Sequence, residues 1–264
     1  MDWCEDLTKR KQDTVELPEV SVSDDGDVRY LHLGTPWIQG SMKIAEPFDI
    51  ELEYVQRMMA WLLFVDPAGV AKRHAMQLGL GAGAITKFCH KKLRMRTTAI
   101  ELNPQVVSIC RAWFKVPPDG PRLQVVLADA EQEIRNPRWL GTVDALAVDL
   151  YDHEAAAPVL DSARFYADCR ELLTMDGCLA VNLFGRMSSY ESSLRKLADA
   201  FGEDALWAFR PTREGNTIVL AQRTPTPLQR EQLMERAEQI KARWDLPAPK
   251  WLRVFSRVKP AAKA

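Results

Sequence analysis

Two carboxylates three residues apart, Asp149 and Asp152, follow an apolar run in Ala147-Val148-Asp149-Leu150-Tyr151-Asp152-His153. At the mouth of a cleft such a pair can hold an amine. A carboxylate that orients a neutral amine and draws off its proton assists an in-line displacement at carbon, and proximity supplies much of the rest. The competing reading is a turn or cap, the commonest use of Asp after a strand. A second cluster is Ala75-Met76-Gln77-Leu78-Gly79-Leu80-Gly81-Ala82-Gly83, where Gly79, Gly81 and Gly83 allow a tight turn and a close approach of the backbone to a ligand. Glu101 stands 22 residues after Gly79, in Ala99-Ile100-Glu101-Leu102-Asn103-Pro104. At that spacing an acidic side chain can accept both hydrogen bonds of a ribose diol, although a Glu near a helix N-terminus is also favoured by the helix dipole. In Leu127-Ala128-Asp129-Ala130, Asp129 can accept an exocyclic amine while the Ala130 N–H meets a ring nitrogen; Asp129 can equally be an N-cap.

These residues need elements to position them. Apolar strand candidates run Ala75–Leu80, Thr97–Leu102, Leu123–Ala128, Ala145–Leu150, Cys178–Phe184, Leu206–Phe209 and Thr217–Ala221. Helical patterns lie between the first five, over Ala84–Leu93, Pro104–Phe114, Ala130–Arg135 and Ala163–Leu173. Short strands apolar on both faces and separated by helices predict a Rossmann-like α/β fold: a seven-stranded, mostly parallel sheet with helices on both faces. The Arg210–Gly215 link is too short for a crossover helix, so one of the last two strands should be antiparallel. The glycine loop, Glu101, Asp129 and Asp149 then all fall at C-terminal strand ends and share one crevice. A dinucleotide fits less well, because Ile85 and Thr86 follow Ala84 where G-x-G-x-x-G needs its third glycine.

Before this core, a small N-terminal β-hairpin is expected from Val28–Leu33 and Trp37–Ile44 around Gly34-Thr35-Pro36, and a helix from Leu52 to Val65, stopped by Asp66-Pro67. The residues up to about Val20 read as a polar tail, and after Thr224-Pro225-Thr226-Pro227 a helix over Leu228–Trp244 precedes a basic, solvated tail with Lys250, Arg253 and Arg257. The expected division is residues 1–66, a nucleoside-binding catalytic domain over 67–224, and 225–264. Trp61, Trp113, Trp139 and Trp207 read as core or interface anchors.

With 47% hydrophobic and 27% charged residues the composition is that of a globular protein. The net charge of -1 argues against a nucleic-acid or membrane surface, since phosphate binding leaves a basic excess. Five scattered cysteines without C-x-x-C spacing read as reduced thiols, and together with the charged N-terminus point to the cytoplasm. His74, His90 and His153 share no ligand spacing, so no metal is expected.

The chain also resembles a known family. Arg29-Tyr30-Leu31-His32-Leu33-Gly34 with Ile38-Gln39, Tyr54 with Met58-Met59, Glu101-Leu102-Asn103-Pro104, Ala128-Asp129-Ala130, and Asp149-Leu150-Tyr151-Asp152 followed by Pro158 and Arg164-Phe165-Tyr166 occur in the order of the spermidine synthase (polyamine aminopropyltransferase) family. The resemblance spans roughly Val28 to Gln222. It implies a class I methyltransferase-like fold, a homodimer, and decarboxylated S-adenosylmethionine as group donor to an amine acceptor such as a polyamine. It implies nucleoside contacts from Gln39, Gly79, Gly81, Gly83, Glu101, Asp129 and Ala130, catalysis by Asp149, and an acceptor site lined by Asp152 and Tyr54. Three motifs depart from the pattern. Ala82 stands where the family places an Asp before the last glycine, Val55-Gln56 replaces His-Glu after the tyrosine, and His153 replaces Pro. The first two remove negative charge from the half that would recognise a polycation, so the nucleoside half matches better than the amine half. Methyl transfer from S-adenosylmethionine itself, and a nucleoside-binding homologue without turnover, are the alternative readings.

Overall fold

The computed structural model describes residues 17–150, 160–183 and 187–258. An eight-stranded sheet in the order β11-β9-β10-β8-β7-β4-β5-β6 forms its centre. Its strands are β4 (His74–Leu78), β5 (Arg96–Glu101), β6 (Leu123–Leu127), β7 (Val143–Val148), β8 (Leu173–Leu183), β9 (Leu206–Phe209), β10 (Thr217–Gln222) and β11 (Phe255–Arg257). The chain enters at β4, steps outward through β5 and β6, then returns to lay β7 on the other side of β4, all in parallel. The gap between β4 and β7 is therefore the topological switch point, where sheets of this kind bind ligands. β10 runs antiparallel to both β8 and β9, as the short link before it requires.

The alternation of side chains along each strand sorts the core into two layers. Ala75, Ala145, Ala147, Ala180, Ile218 and Leu220 face one side, covered by α1 (Glu53–Met58), the 3-10 turn Met59–Phe64 and α7 (Arg230–Trp244). Met76, Leu78, Leu146, Val148, Leu179, Val181 and Val219 face the other, covered by α5 (Ala163–Leu172) and α6 (Met187–Phe201). A separate three-stranded antiparallel sheet, β1 (Val20–Asp25), β2 (Val28–Leu33) and β3 (Gly40–Lys43), packs Val20, Leu31 and Met42 against α3 (Pro104–Trp113) and Leu80 and Ala82 of the glycine loop.

Several expectations need correction. The N-terminal sheet has a third strand: Val20–Asp25 pairs along all of β2, and its acidic end reads as loop only because one face is solvated. The helix expected over Leu52–Val65 tightens to 3-10 geometry after Met58. Likewise α2 (Ala84–Lys87) continues as one π-helical stretch, Phe88–Lys92. The helix α6 was not assigned from the sequence, although Leu197 and Phe201 anchor it in the core. The C-terminal segment is no loose tail up to Arg257. It forms α8 (Ala248–Trp251) and the eighth strand β11, with Trp251 and Phe255 buried against Phe209 while Lys250, Arg253 and Arg257 stay exposed. Trp61, Trp139 and Trp207 are core residues; Trp113 is 52% exposed, with the Arg29 guanidinium 5.2 Å above its ring.

Candidate active site

The glycine loop links β4 to α2 with Gly79, Gly81 and Gly83 at φ of +81°, +51° and +70°, a region that L side chains rarely adopt. At Gly79 space is limiting as well, since a Cβ there would lie 2.5 Å from the Asp149 carbonyl oxygen. The loop is pinned from inside by Gln77, buried in β4. Its Nε2 donates to the Gly79 carbonyl at 2.6 Å, while its Oε1 accepts from Thr86 Oγ1 at 2.6 Å and from the Thr86 N–H at 3.1 Å.

Glu101 ends β5 beside this loop. Its Oε2 accepts the Leu80 N–H and its Oε1 the Asn103 N–H, each at 2.8 Å. Burial pushes this carboxyl up, opposed by the backbone amides that favour its charged form. The next strand end supplies Asp129, whose Oδ1 accepts the Glu131 N–H at 2.7 Å and so caps α4 (Ala130–Glu133). The backbone ties the two ends together, because the Ala128 N–H donates to the Glu101 carbonyl at 2.9 Å.

On the other side of the loop stands Asp149, directly after β7. Tyr54 Oη from α1 donates to its Oδ2 at 3.3 Å, and Asn182 Nδ2 from β8 donates to its Oδ1 at 3.0 Å. Asp149 lines the crevice, and burial pushes its carboxyl up while the two neutral donors pull it down. The N-terminal sheet closes the crevice from above. Gln39, Tyr54, Gly81, Ala82 and Asp149 all line it, and the Gln39 Nε2 is buried there without a hydrogen-bond partner. An unpaired buried N–H costs free energy unless a ligand oxygen or nitrogen accepts it. At Gly40 a Cβ would come within 2.7 Å of the Ala82 Cβ, so β3 lies directly on the loop.

Of the expected residues, Gln39, Tyr54, Gly81 and Asp149 line one crevice; Gly79 and Gly83 belong to the loop beside it, Glu101 is bonded to that loop through the Leu80 N–H, and Asp129 and Ala130 follow β6. Asp152 lies outside the described residues. Asn182, Gln77 and Asn216 were not singled out from the sequence. For the first two the available signal was a lone amide inside an otherwise apolar strand. No group of three or more His, Cys, Asp or Glu that could hold a metal occurs among the described residues, and no helix among them is long and apolar enough to cross a membrane. Cys89, Cys110, Cys169 and Cys178 are buried free thiols.

Fold and crevice together place the chain among methyltransferase-like α/β proteins. It is similar in structure to human methyltransferase-like protein 13 in complex with SAH (TM-score 0.66, 22% identity, 74% of this chain and 93% of that one). It is also similar to a spermidine synthase in complex with the transition-state analogue AdoDATO (TM-score 0.58, 15% identity, 85% and 79%). At such identities the likeness shows the fold alone. No protein-family model matches. In sequence the chain is 33% identical over 241 residues to a polyamine aminopropyltransferase of Chromobacterium violaceum, which covers 90% of each protein. It belongs to the polyamine aminopropyltransferase family and is a transferase.

Proposed function

We propose that this protein moves the aminopropyl group of decarboxylated S-adenosylmethionine to a small-molecule amine acceptor, a polyamine or diamine in keeping with its relatives. The observation that carries the reading is Asp149, a partly enclosed carboxylate held by Tyr54 and Asn182 beside a glycine loop whose far side carries Glu101. In this reading Glu101 takes the ribose hydroxyls, Gln39 gives its unpaired N–H to the nucleoside, and Asp129 with the Ala130 N–H meets the base. The sulfonium carbon then faces Asp149. The acceptor amine must be neutral to attack, so it places its lone pair on that carbon and its proton passes to Asp149 as the carbon–sulfur bond breaks, leaving a neutral thioether nucleoside. A carboxylate offers about four lone-pair sites, so the two donors on Asp149 leave room for the amine. Raising its pKa by burial strengthens it as a base. Tyr54 and Asp152 line the acceptor side, and a cytoplasmic homodimer completes the reading.

Methyl transfer from intact S-adenosylmethionine is favoured by one observation: Ala82, buried against Gly40, gives that point of the loop no carboxylate to repel the carboxylate that the intact donor keeps. Calorimetric titration with both donors, followed by mass spectrometry of products with a panel of di- and polyamines, separates the two. Tighter binding of the decarboxylated donor and a product heavier by one aminopropyl group are expected. Preference for the intact donor and a methylated product would overturn the proposal.

A further inference from the structure

Asp149 is held by a chain of contacts that continues past the crevice. Asn182 gives its Nδ2 to Asp149 Oδ1, and its own Oδ1 accepts from Asn216 Nδ2 at 3.2 Å. Asn216 stands just before β10, in the turn that reverses the chain after β9. That turn is tied to itself, with the Thr212 N–H donating to the Asn216 carbonyl at 2.8 Å and the Asn216 N–H donating to Thr212 Oγ1 at 3.2 Å. Neither Asn182 nor Asn216 lines the crevice.

The direction of the chain follows from chemistry. An ionised carboxylate only accepts, so the end of the Asn182 amide facing it must be the NH2 group. The Asn182 oxygen then faces away and needs a donor, because Asn182 is buried and an unmet acceptor there is costly. Asn216 supplies that donor. That contact adds to the preference that the carboxylate already sets for this orientation of the Asn182 amide.

We propose that Asn216 is a positioning residue which, through Asn182, keeps an N–H donor on Asp149 Oδ1 and so fixes the orientation and ionisation of that carboxylate. The functional value of this rests on the reading that Asp149 serves the transfer; the linkage itself does not. Facing Asp149 are the Tyr54 phenol from α1, the Asn182 amide from β8, and backbone from β4 and the glycine loop, where the Leu78 carbonyl accepts the Asp149 N–H at 3.1 Å. Tyr54 is thus the titratable side chain in contact with it among the described residues.

Two variants test the proposal. Asn216→Asp is nearly isosteric but offers the Asn182 NH2 group a second carboxylate, and Asn216→Ala removes the donor without adding charge. The Asp149 carboxyl carbon, assigned by its loss in Asp149→Asn, is titrated by carbon-13 NMR in the intact protein, and the acid limb of kcat/KM is recorded beside it. A loss worth about 1 kcal/mol corresponds to a rise of roughly half a unit to one unit in Asn216→Ala. A larger rise is expected in Asn216→Asp, with donor affinity within about twofold of the parent in both, since the change lies outside the nucleoside contacts. A rise in Asn216→Asp alone would be the field of an added charge and would sink the proposal. So would parental titration in variants that melt with the parent. If Asn216→Asp does not fold, Asn216→Ala decides. If the unaltered protein transfers no aminopropyl group, the functional reading fails, and the carbon titration still decides the linkage.

Discussion

Glu101 and Asp149 lie on opposite sides of the same glycine loop, and burial raises both carboxyls, but they are held by different means. Glu101 is gripped by backbone: the Leu80 and Asn103 amides occupy its two oxygens, and both come from within 21 residues. Asp149 is gripped by side chains, Tyr54 from 95 residues away and Asn182 from 33. Backbone amides are present whatever side chains evolve around them, so the side proposed to hold the nucleoside is set by the fold. The side proposed to hold the amine is a set of replaceable side chains. Ala82, one of the departures from the family pattern that the chain resembles, lines the crevice on this side.

Three substitutions would sharpen or break this contrast. The largest effect is expected from Asp149→Asn, which keeps shape but removes the base: turnover should fall by about 10²–10⁴-fold, with donor affinity within about threefold of the parent. Steady-state kinetics beside calorimetry reads both, and an equal loss in the two would mean that Asp149 serves the nucleoside as well.

Glu101→Gln comes next. An amide presents one oxygen, so it cannot accept from both the Leu80 and Asn103 N–H groups, and its NH2 end would face one of them. The expected result is a loss of roughly tenfold to hundredfold in donor affinity, at about 1–3 kcal/mol for a mismatched polar contact. Turnover at saturating donor should change little. A fall in turnover without a change in donor affinity would erase the division between the halves.

The smallest effect is expected from Tyr54→Phe. The Tyr54 hydroxyl favours the charged form of Asp149, so its removal leaves burial less opposed and the carboxyl rises further. Activity that needs the carboxylate is lost as pH falls through that value, so the acid limb of the rate profile should move to higher pH. Turnover at high pH should drop by less than about tenfold. An unmoved acid limb would show that the 3.3 Å contact does not tune Asp149.

The switch-point crevice was legible because its parts are local. Gly79, Glu101 and Asp129 follow strand ends in a βαβ rhythm, and a positive φ or a helix cap is decided by residues a few positions apart. Elsewhere local signals misled. Val20–Asp25 carries too much charge to read as a strand until β2 pairs with it, and Phe255–Arg257 is too short to announce one until β9 offers an edge. The amides show the limit most sharply. Gln77 and Asn182 each stand out in an apolar run, but nothing near either names its partner.

By itself, then, the sequence determined the alternating core, the reversed strand after the Arg210–Gly215 link, the glycine loop and the carboxylate that follows it. Periodicity and turn chemistry act over one or two elements, so these were settled locally. Only the tertiary structure decided what surrounds Asp149: a phenol from α1, an amide from β8, a second amide from the turn before β10, and the N-terminal sheet laid over Ala82. Desolvation and hydrogen-bond partnership depend on which distant segments pack together, and in this protein that packing distinguishes Asp149, buried between side chains of α1 and β8, from a capping residue such as Asp129.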